Sequence, residues 1–263
     1  MIQLTIIRIE GYGPWTLTLG YDREAQLQML QARIYYDVQR LFSEKDCLVY
    51  FNRFDEYFVI TNGVSVAEHV QIAHALAALY KDLKMSMAIG SGRTALAASM
   101  NAYNARKEGR LADEKARIFF SGSAVATSNE KEGGELSAQI MHIDVDSSTK
   151  LAGRLSPYEV TALVMKLYGR LAEEFLKLDA LTFFLGGDNF MVISNGVTGA
   201  QADEVIKRAT AGLDVKFNCG IGIGRNGRRA AEAATRALDT IRDMRNEGKV
   251  QAIYEIYNDV PSR

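Results

Sequence analysis

One segment of this 263-residue chain occurs twice. Residues 53–64 read RFDEYFVITNGV and residues 186–197 read GGDNFMVISNGV, a shared frame of D-x-aromatic-x-V-I-[ST]-N-G-V at an offset of 133. Upstream, IIRIEGYG (6–13) answers to IMHIDVDS (140–147), which sets Glu10 against Asp144 at an offset of 134. Downstream, AIGSGR (88–93) answers to GIGIGR (220–225) at an offset of 132. Three segments recurring in one order at nearly constant spacing imply two tandem copies of one domain. The sequence predicts domains over 1–126 and 137–263, joined by a polar, Gly-containing linker over 127–136.

Each copy carries the same periodicities. A strand (LTIIRIE, AQIMHIDVD) precedes a long helix, over about 22–42 or 157–178. Ser156-Pro157-Tyr158-Glu159 has the signature of a capped helix start, with Pro at the first helical position and Glu at the third. A β-rich hairpin, a second helix (66–80 or 200–212), a strand ending in I-G-x-G and an Ala-rich helix (94–106 or 228–245) follow. The order β-α-β-β-α-β-α predicts an α+β fold, two tandem ferredoxin-like palm domains, each an antiparallel sheet with helices on one face.

In that topology the end of the first strand lies beside the tip of the central hairpin. Asp144 and Asp188 then face one another, and so do Glu10 and Asp55. Two carboxylates on adjacent strand ends repel unless a cation stands between them, which suggests a Mg²⁺ site completed by nucleotide phosphates. Gly186 and Gly187 allow a tight tip where backbone approaches a ligand.

Composition narrows the chemistry. Two Cys (Cys47, Cys219) and three His (His69, His74, His142), with no C-x-x-C pair, give no support for zinc, so carboxylates must carry any metal. Both Cys are expected as reduced core residues, and His69 and His74 as surface or half-buried positions on a helix. Lys plus Arg number 31 and Asp plus Glu 32, a net charge of −1 that disfavours nucleic acid as a partner. No apolar run reaches the roughly 18 residues of a membrane span, and no signal peptide opens the chain, so neither membrane contact nor export is expected and the cytoplasm is the default location.

The second copy, with I-D-V-D at a strand end and GGDN at a hairpin tip, resembles the palm of nucleotidyl cyclases, the GGDEF type above all. GYGPW (11–15), LGYDRE (19–24), RFDE (53–56), LGGDNF (185–190) and GIGIGRN (220–226) together resemble archaeal GTP cyclohydrolase III over essentially the whole chain. That resemblance implies Mg²⁺-dependent opening of the guanine imidazole ring at C8. The products would be 2-amino-5-formylamino-6-ribosylamino-4(3H)-pyrimidinone 5'-monophosphate and two inorganic phosphates, supplying riboflavin and F420 precursors. It further implies activation by a monovalent cation and a homo-oligomer, dimer or tetramer.

By the same resemblance, Asp144, the Val145 carbonyl and Asp188 hold the metal, with Glu10 and Asp55 the corresponding pair of copy one. Asp146 and Asn189 orient water or a second cation, and Ser147, Ser148, Lys150, Gly186 and Gly187 approach the phosphates. In copy one, Gly11, Tyr12, Gly13 and Trp15 form a nucleotide-side loop. Trp15 either stacks on guanine or belongs to the core, and Arg53 either meets a phosphate or pairs with Glu10. Asp55, Glu56 and Asp146 are the candidates for the general base. The arginines at 228, 229, 236, 242 and 245 are expected as a solvated helix face. Two departures from cyclases, Asn189 at an acidic position and Ser147-Ser148 in place of aromatics, favour the ring-opening hydrolase over a diguanylate-type cyclase. A non-catalytic GTP-binding tandem palm is the third reading.

Overall fold

The structure, a computed structural model, describes residues 1–121, 136–146, 153–247 and 252–257, with only the backbone of Asp146 and Tyr257. The expected linker, apart from Leu136, and the candidates Ser147, Ser148 and Lys150 lie outside the described residues, as does the side chain of Asp146. The chain divides into two compact units, the first of residues 2–92 and 97–136, the second chiefly of 137–263. No helix among the described residues is long and apolar enough to cross a membrane.

The first unit, palm one, runs β1 (Ile2–Ile9), α1 (Tyr12–Leu17), α2 (Glu24–Ser43), β2 (Leu48–Arg53), β3 (Glu56–Ile60), α3 (Val66–Leu79), β4 (Met85–Gly92), α4 (Ala95–Lys107), β5 (Leu111–Asp113) and β6 (Ile118–Ser121). Its sheet has the order β2-β3-β1-β4-β6-β5. Palm two runs β7 (Ala138–Asp146), α5 (Pro157–Leu176), β8 (Leu181–Gly186), β9 (Asn189–Ile193), α6 (Gly199–Thr210), β10 (Lys216–Gly224), α7 (Gly227–Asn246) and β11 (Ile253–Tyr257), in the sheet order β11-β10-β7-β9-β8. In both, the first strand sits centrally and pairs antiparallel with the hairpin and with the fourth strand. A parallel strand (β6, β11) extends each sheet beyond the palm pattern, so the sheets are mixed rather than purely antiparallel.

The one-face expectation holds for two helices of each palm and fails for the last. Ile7, Ile9, Met87 and Ile89 pack under α2 (Ile34, Val38, Phe42) and α3 (Ile72, Leu76). The alternate residues Ile6 and Ala88 meet Ala102 and Ala105 of α4 on the opposite face. A strand covered on both sides buries residues of both faces, and in β1 the buried polar residues Gln3 and Thr5 are hydrogen-bonded to Thr61 and to His69. Palm two repeats this, with Met141, Ile143, Phe217 and Ile221 under α5 and α6.

The I-G-x-G strands serve this second layer. A Cβ on Gly222 would lie 2.1 Å from the Ala230 carbonyl oxygen and 2.2 Å from the Ala234 nitrogen. On Gly90 it would lie 2.3 Å from the Ala102 nitrogen. Strand backbone and Ala-rich helix touch directly, so neither side tolerates a larger residue. Helix starts follow the sequence signals: Ser156 and Glu159 close their capping box, and Ser65/Glu68 and Thr198/Gln201 form two more.

The N-G-V repeat is structural. Gly63 (φ +83°) and Gly196 (φ +90°) turn the chain so that the Asn62 and Asn195 Oδ1 atoms accept from the backbone N–H of Gln3 and Gln139 at 2.8 and 3.1 Å. The Gln3 and Gln139 side chains return the contact to the Val64 and Val197 carbonyls. Cys47 and Cys219 are free and buried; burial pushes the Cys47 thiol up to about 12 and raises Cys219 as well, which fits core residues. His69 is not on the surface: it is fully buried, with Nε2 2.8 Å from the Thr5 hydroxyl and Nδ1 2.7 Å from the Ser65 carbonyl. Both ring nitrogens are satisfied, so a neutral imidazole can be buried there.

Candidate functional site

At the end of β7, the register sets Asp144 opposite Asn189 of β9 and Asn218 of β10. The residue is 8% exposed. One carboxylate oxygen, Oδ2, accepts from Arg242 Nη2 at 2.7 Å, and the other, Oδ1, is buried with no hydrogen-bond partner among the described residues. A buried acceptor left unmade costs about 1–3 kcal/mol, and a cation is the partner that a carboxylate oxygen suits best.

Asp188 sits on the two-residue tip between β8 and β9, where Gly186 (φ +113°) and Gly187 (φ +61°) take up backbone conformations that side chains oppose. Asn189 Nδ2 donates to Asp188 Oδ1 at 2.9 Å, and the Val145 N–H donates to the Asp188 carbonyl at 3.3 Å, tying the tip to the β7 end. His142 extends this network, with Nε2 3.1 Å from Asn189 Oδ1, and burial lowers its pKa. Among the described residues no three His, Cys, Asp or Glu side chains converge on one point. A cation here would rest on two carboxylates and take its remaining oxygens from phosphate and water, the ligand set that suits Mg²⁺ better than zinc.

The α7 arginines are not uniformly a solvated face. Arg242 reaches Asp144, and Arg245 Nη2 meets Asn218 Oδ1 at 2.5 Å. Arg229 stays on the outer surface with Glu232 at 3.2 Å. Sequence alone missed Arg242 because Asp144 and Arg242 lie 98 residues apart, on a strand and helix joined only by packing.

Palm one corrects the alignment of the repeat. Its hairpin strands correspond at an offset of 133, but Gln3 and Gln139, which make the same clamp, differ by 136. Leu4 pairs with Ile60 as Ile140 pairs with Ile193. Arg8, not Glu10, therefore stands at the Asp144 position, and Glu10 corresponds to Asp146. A two-residue slip leaves every strand side chain on its own face, so the apolar pattern could not detect it.

The carboxylates of palm one are paired with arginines. Arg53 reaches Asp55 at 3.5 Å and Glu56 at 3.3 Å, rather than Glu10. Glu56 also lies 4.0 Å from Arg8 and accepts from Asn52 at 2.9 Å. Glu10 accepts from the Ser86 hydroxyl at 2.6 Å and lies 3.7 Å from Arg106.

The GYGPW segment forms the short α1, with Gly11 at φ +64° before it. Tyr12 and Trp15 lie partly buried against the core with ring centroids 5.9 Å apart, and Gly13 is exposed. Tyr12 accepts a hydrogen bond from the Gln31 amide. Beside this contact opens a cleft of about 550 Å³ between α2 and the β2–β3 tip, lined by Glu24, Gln28, Gln31, Tyr35, Phe51 and Phe54. Gln31 is a polar residue within the buried stripe of Leu27, Ile34 and Val38, a departure legible in the sequence.

Residues 1–255 match the family described as GTP cyclohydrolase III. The chain belongs to that family. It is 35% identical over 248 residues to GTP cyclohydrolase III of Methanobrevibacter smithii, covering 94% of this chain and 96% of that one. To GTP cyclohydrolase III of Methanocaldococcus jannaschii it is 36% identical over 244 residues, covering 92% and 88%. Among solved structures, a GGDEF domain from Pseudomonas aeruginosa is similar over 48% of this chain and 85% of that one, with 15% identity and a TM-score of 0.38. The GTP cyclohydrolase III family thus extends over both palms.

Proposed function

We propose that the chain is a GTP cyclohydrolase III whose metal-holding strand end is that of palm two. The observation that carries the placement is the Asp144 carboxylate, buried with one oxygen unpartnered among the described residues, where palm one has Arg8. Asp144, Asp188 and the Val145 carbonyl would hold a divalent cation, Mg²⁺ by the hardness of these donors. Such a cation supplies positive charge against the triphosphate.

The reaction is hydrolysis at C8 of guanine, opening the imidazole ring to the formamidopyrimidine ribotide monophosphate, with release of two phosphates. Asn189, held between His142 and Asp188, orients water or phosphate at the tip. Arg242 is half-exposed and can turn from Asp144 to a phosphate when a cation takes over the carboxylate. Asp146, Ser147, Ser148 and Lys150 complete the phosphate side, with Gly186 and Gly187 giving backbone access. Asp55, Glu56 and Asp146 remain the candidates for the base that activates water, and Glu10 with Asp55 the alternative cation pair. A monovalent cation as activator, a homo-oligomeric state and a cytoplasmic setting belong to the same reading.

Mass spectrometry of the products of GTP with Mg²⁺ tests it. The expected result is a ring-opened monophosphate with two phosphates released per turnover. Intact guanine with pyrophosphate as co-product would establish a cyclase instead, and unaltered GTP with folded, metal-loaded protein would leave only a binding protein.

A further inference from the structure

We infer that palm one carries a second ligand site, a cavity that takes a phosphate monoester whose body is the size of a single ring. The cavity lies between the C-terminal half of α3, the start of β4 and the β5–β6 turn, and measures about 190 Å³. A cavity of about 150 Å³ holds benzene, whereas nucleotide-sized ligands call for roughly 300 Å³ or more. The inference does not rest on the ring-opening activity, and every residue it uses belongs to palm one.

Charge sets the chemistry. Lys84, Lys115 and Arg117 line the cavity together with His74, and no carboxylate among the described residues does so. None of these four side chains makes an ion pair or hydrogen bond among the described residues. Cations sharing one rim repel unless an anion stands between them. A phosphate monoester brings roughly two negative charges and three acceptor oxygens, a carboxylate roughly one charge and two oxygens. The arginine fork grips two oxygens, and each lysine adds a point charge. The turn that carries two of the cations is pinned in place. The Ala116 N–H donates to Asp113 Oδ1 at 2.7 Å, and the Met87 N–H of β4 donates to the Arg117 carbonyl at 3.2 Å. Arg117 holds φ at +55°, where glycine is favoured, and still brings a guanidinium to the rim. Ala73, Met85 and Met87 give the cavity an apolar floor.

Palm two fills the equivalent space. The parallel pairs Met87–Ile118 and Cys219–Ile253 and the helix caps Ser65 and Thr198 fix the correspondence. Ala73 becomes Ile206 and Met85 becomes Phe217, and both larger side chains belong to the buried core. The β5–β6 turn has no counterpart beside β11 among the described residues. Close packing favours the filled arrangement, because a void forfeits contacts. Palm one keeps the void and rims it with cations, which a ligand explains and packing does not.

Calorimetric titration of the full chain with phenyl phosphate, in a chelator so that no divalent cation is bound, tests this. Wild type should bind phenyl phosphate saturably and about tenfold more tightly than inorganic phosphate, which lacks the ring, or benzoate, which lacks the second charge. Lys115→Ala and Arg117→Gly should each weaken it by about tenfold or more, the worth of a charge-assisted hydrogen bond. Glycine also suits the backbone at 117, so that variant should fold. Ala73→Ile, which copies palm two, should abolish the advantage of phenyl phosphate over inorganic phosphate with circular dichroism unchanged. Unchanged affinity in folded Lys115→Ala and Arg117→Gly, or no saturable binding by wild type at up to about 10 mM, overturns the inference. Loss of phenyl phosphate binding in Asp144→Asn overturns it too, since the ligand would then sit at the strand end of palm two. Ring opening of GTP can proceed or fail without altering any of these outcomes.

Discussion

Palm one has Arg8 where palm two has Asp144, and the surroundings of each strand end follow from that exchange. In palm one a cation of the protein itself stands beside the hairpin carboxylates: Arg8 and Arg53 both reach Glu56, and Arg53 reaches Asp55. In palm two Asp144 meets Arg242 through one oxygen, and the other oxygen has no hydrogen-bond partner among the described residues. The hairpin tips diverge accordingly, Arg53-Phe54 against Gly186-Gly187, the first filling the tip with side chains and the second baring backbone. The helices after the first strands differ too: Glu24, Gln28 and Gln31 of α2 stand where α5 has Pro157, Thr161 and Val164. A duplicated fold has kept its layers and changed its edges, because core exchanges disturb close packing while strand ends and tips face solvent.

The largest effect should come from the strand ends. Asp144→Asn and Asp188→Asn are each expected to lower kcat/KM for GTP by about a thousandfold, the scale on which lost electrostatic stabilisation acts. Glu10→Gln and Asp55→Asn should cost less than about tenfold. Steady-state rates with folding checked by circular dichroism decide it, and the reverse ranking moves the metal site to palm one.

A second contrast lies in the glycines. Gly220 would place a Cβ 2.1 Å from the Ala234 carbonyl oxygen, while its palm-one counterpart is already Ala88. Gly220→Ala should destabilise palm two by about 3 kcal/mol, and Ala88→Gly should cost palm one only about 1 kcal/mol, both read from denaturant midpoints. Equal costs would mean that the two strand–helix contacts are alike.

The third contrast is in pH response. Burial holds His69 down to about 4 against an ordinary 6.5, and palm two has Ala202 at the corresponding helix position. Between those values the unfolded chain binds the proton and the folded one does not, so stability falls as pH drops. Palm one should lose about 2 kcal/mol by pH 5, and palm two should lose nothing from this position. Hydrogen exchange resolved by palm measures this, and His69→Gln should remove the difference.

Much of this was legible in the residues. The 133-residue repeat announced two copies, the S-P-Y-E and I-G-x-G segments marked a helix start and a strand end, and the Cys and His shortage turned attention to carboxylates. The neighbourhood of the β7 end and the β8–β9 tip was readable because the β-α-β-β order sets the hairpin beside the first strand. Three features were not. The true match of Arg8 to Asp144 was hidden because a strand has a period of two and a two-residue slip preserves it. Arg242 on Asp144 and the burial of His69 against Thr5 join residues 98 and 64 apart.

The sequence by itself determined the duplication, the element order, the family resemblance and the kind of donor atoms available, since these are written in periodicity and composition. The tertiary structure decided which palm keeps an unpartnered carboxylate, which helix face opens onto a cleft, and which charges are already paired. The physical reason is distance: the energy of a buried charge depends on what lies within a few ångströms of it, and only packing brings distant segments that close.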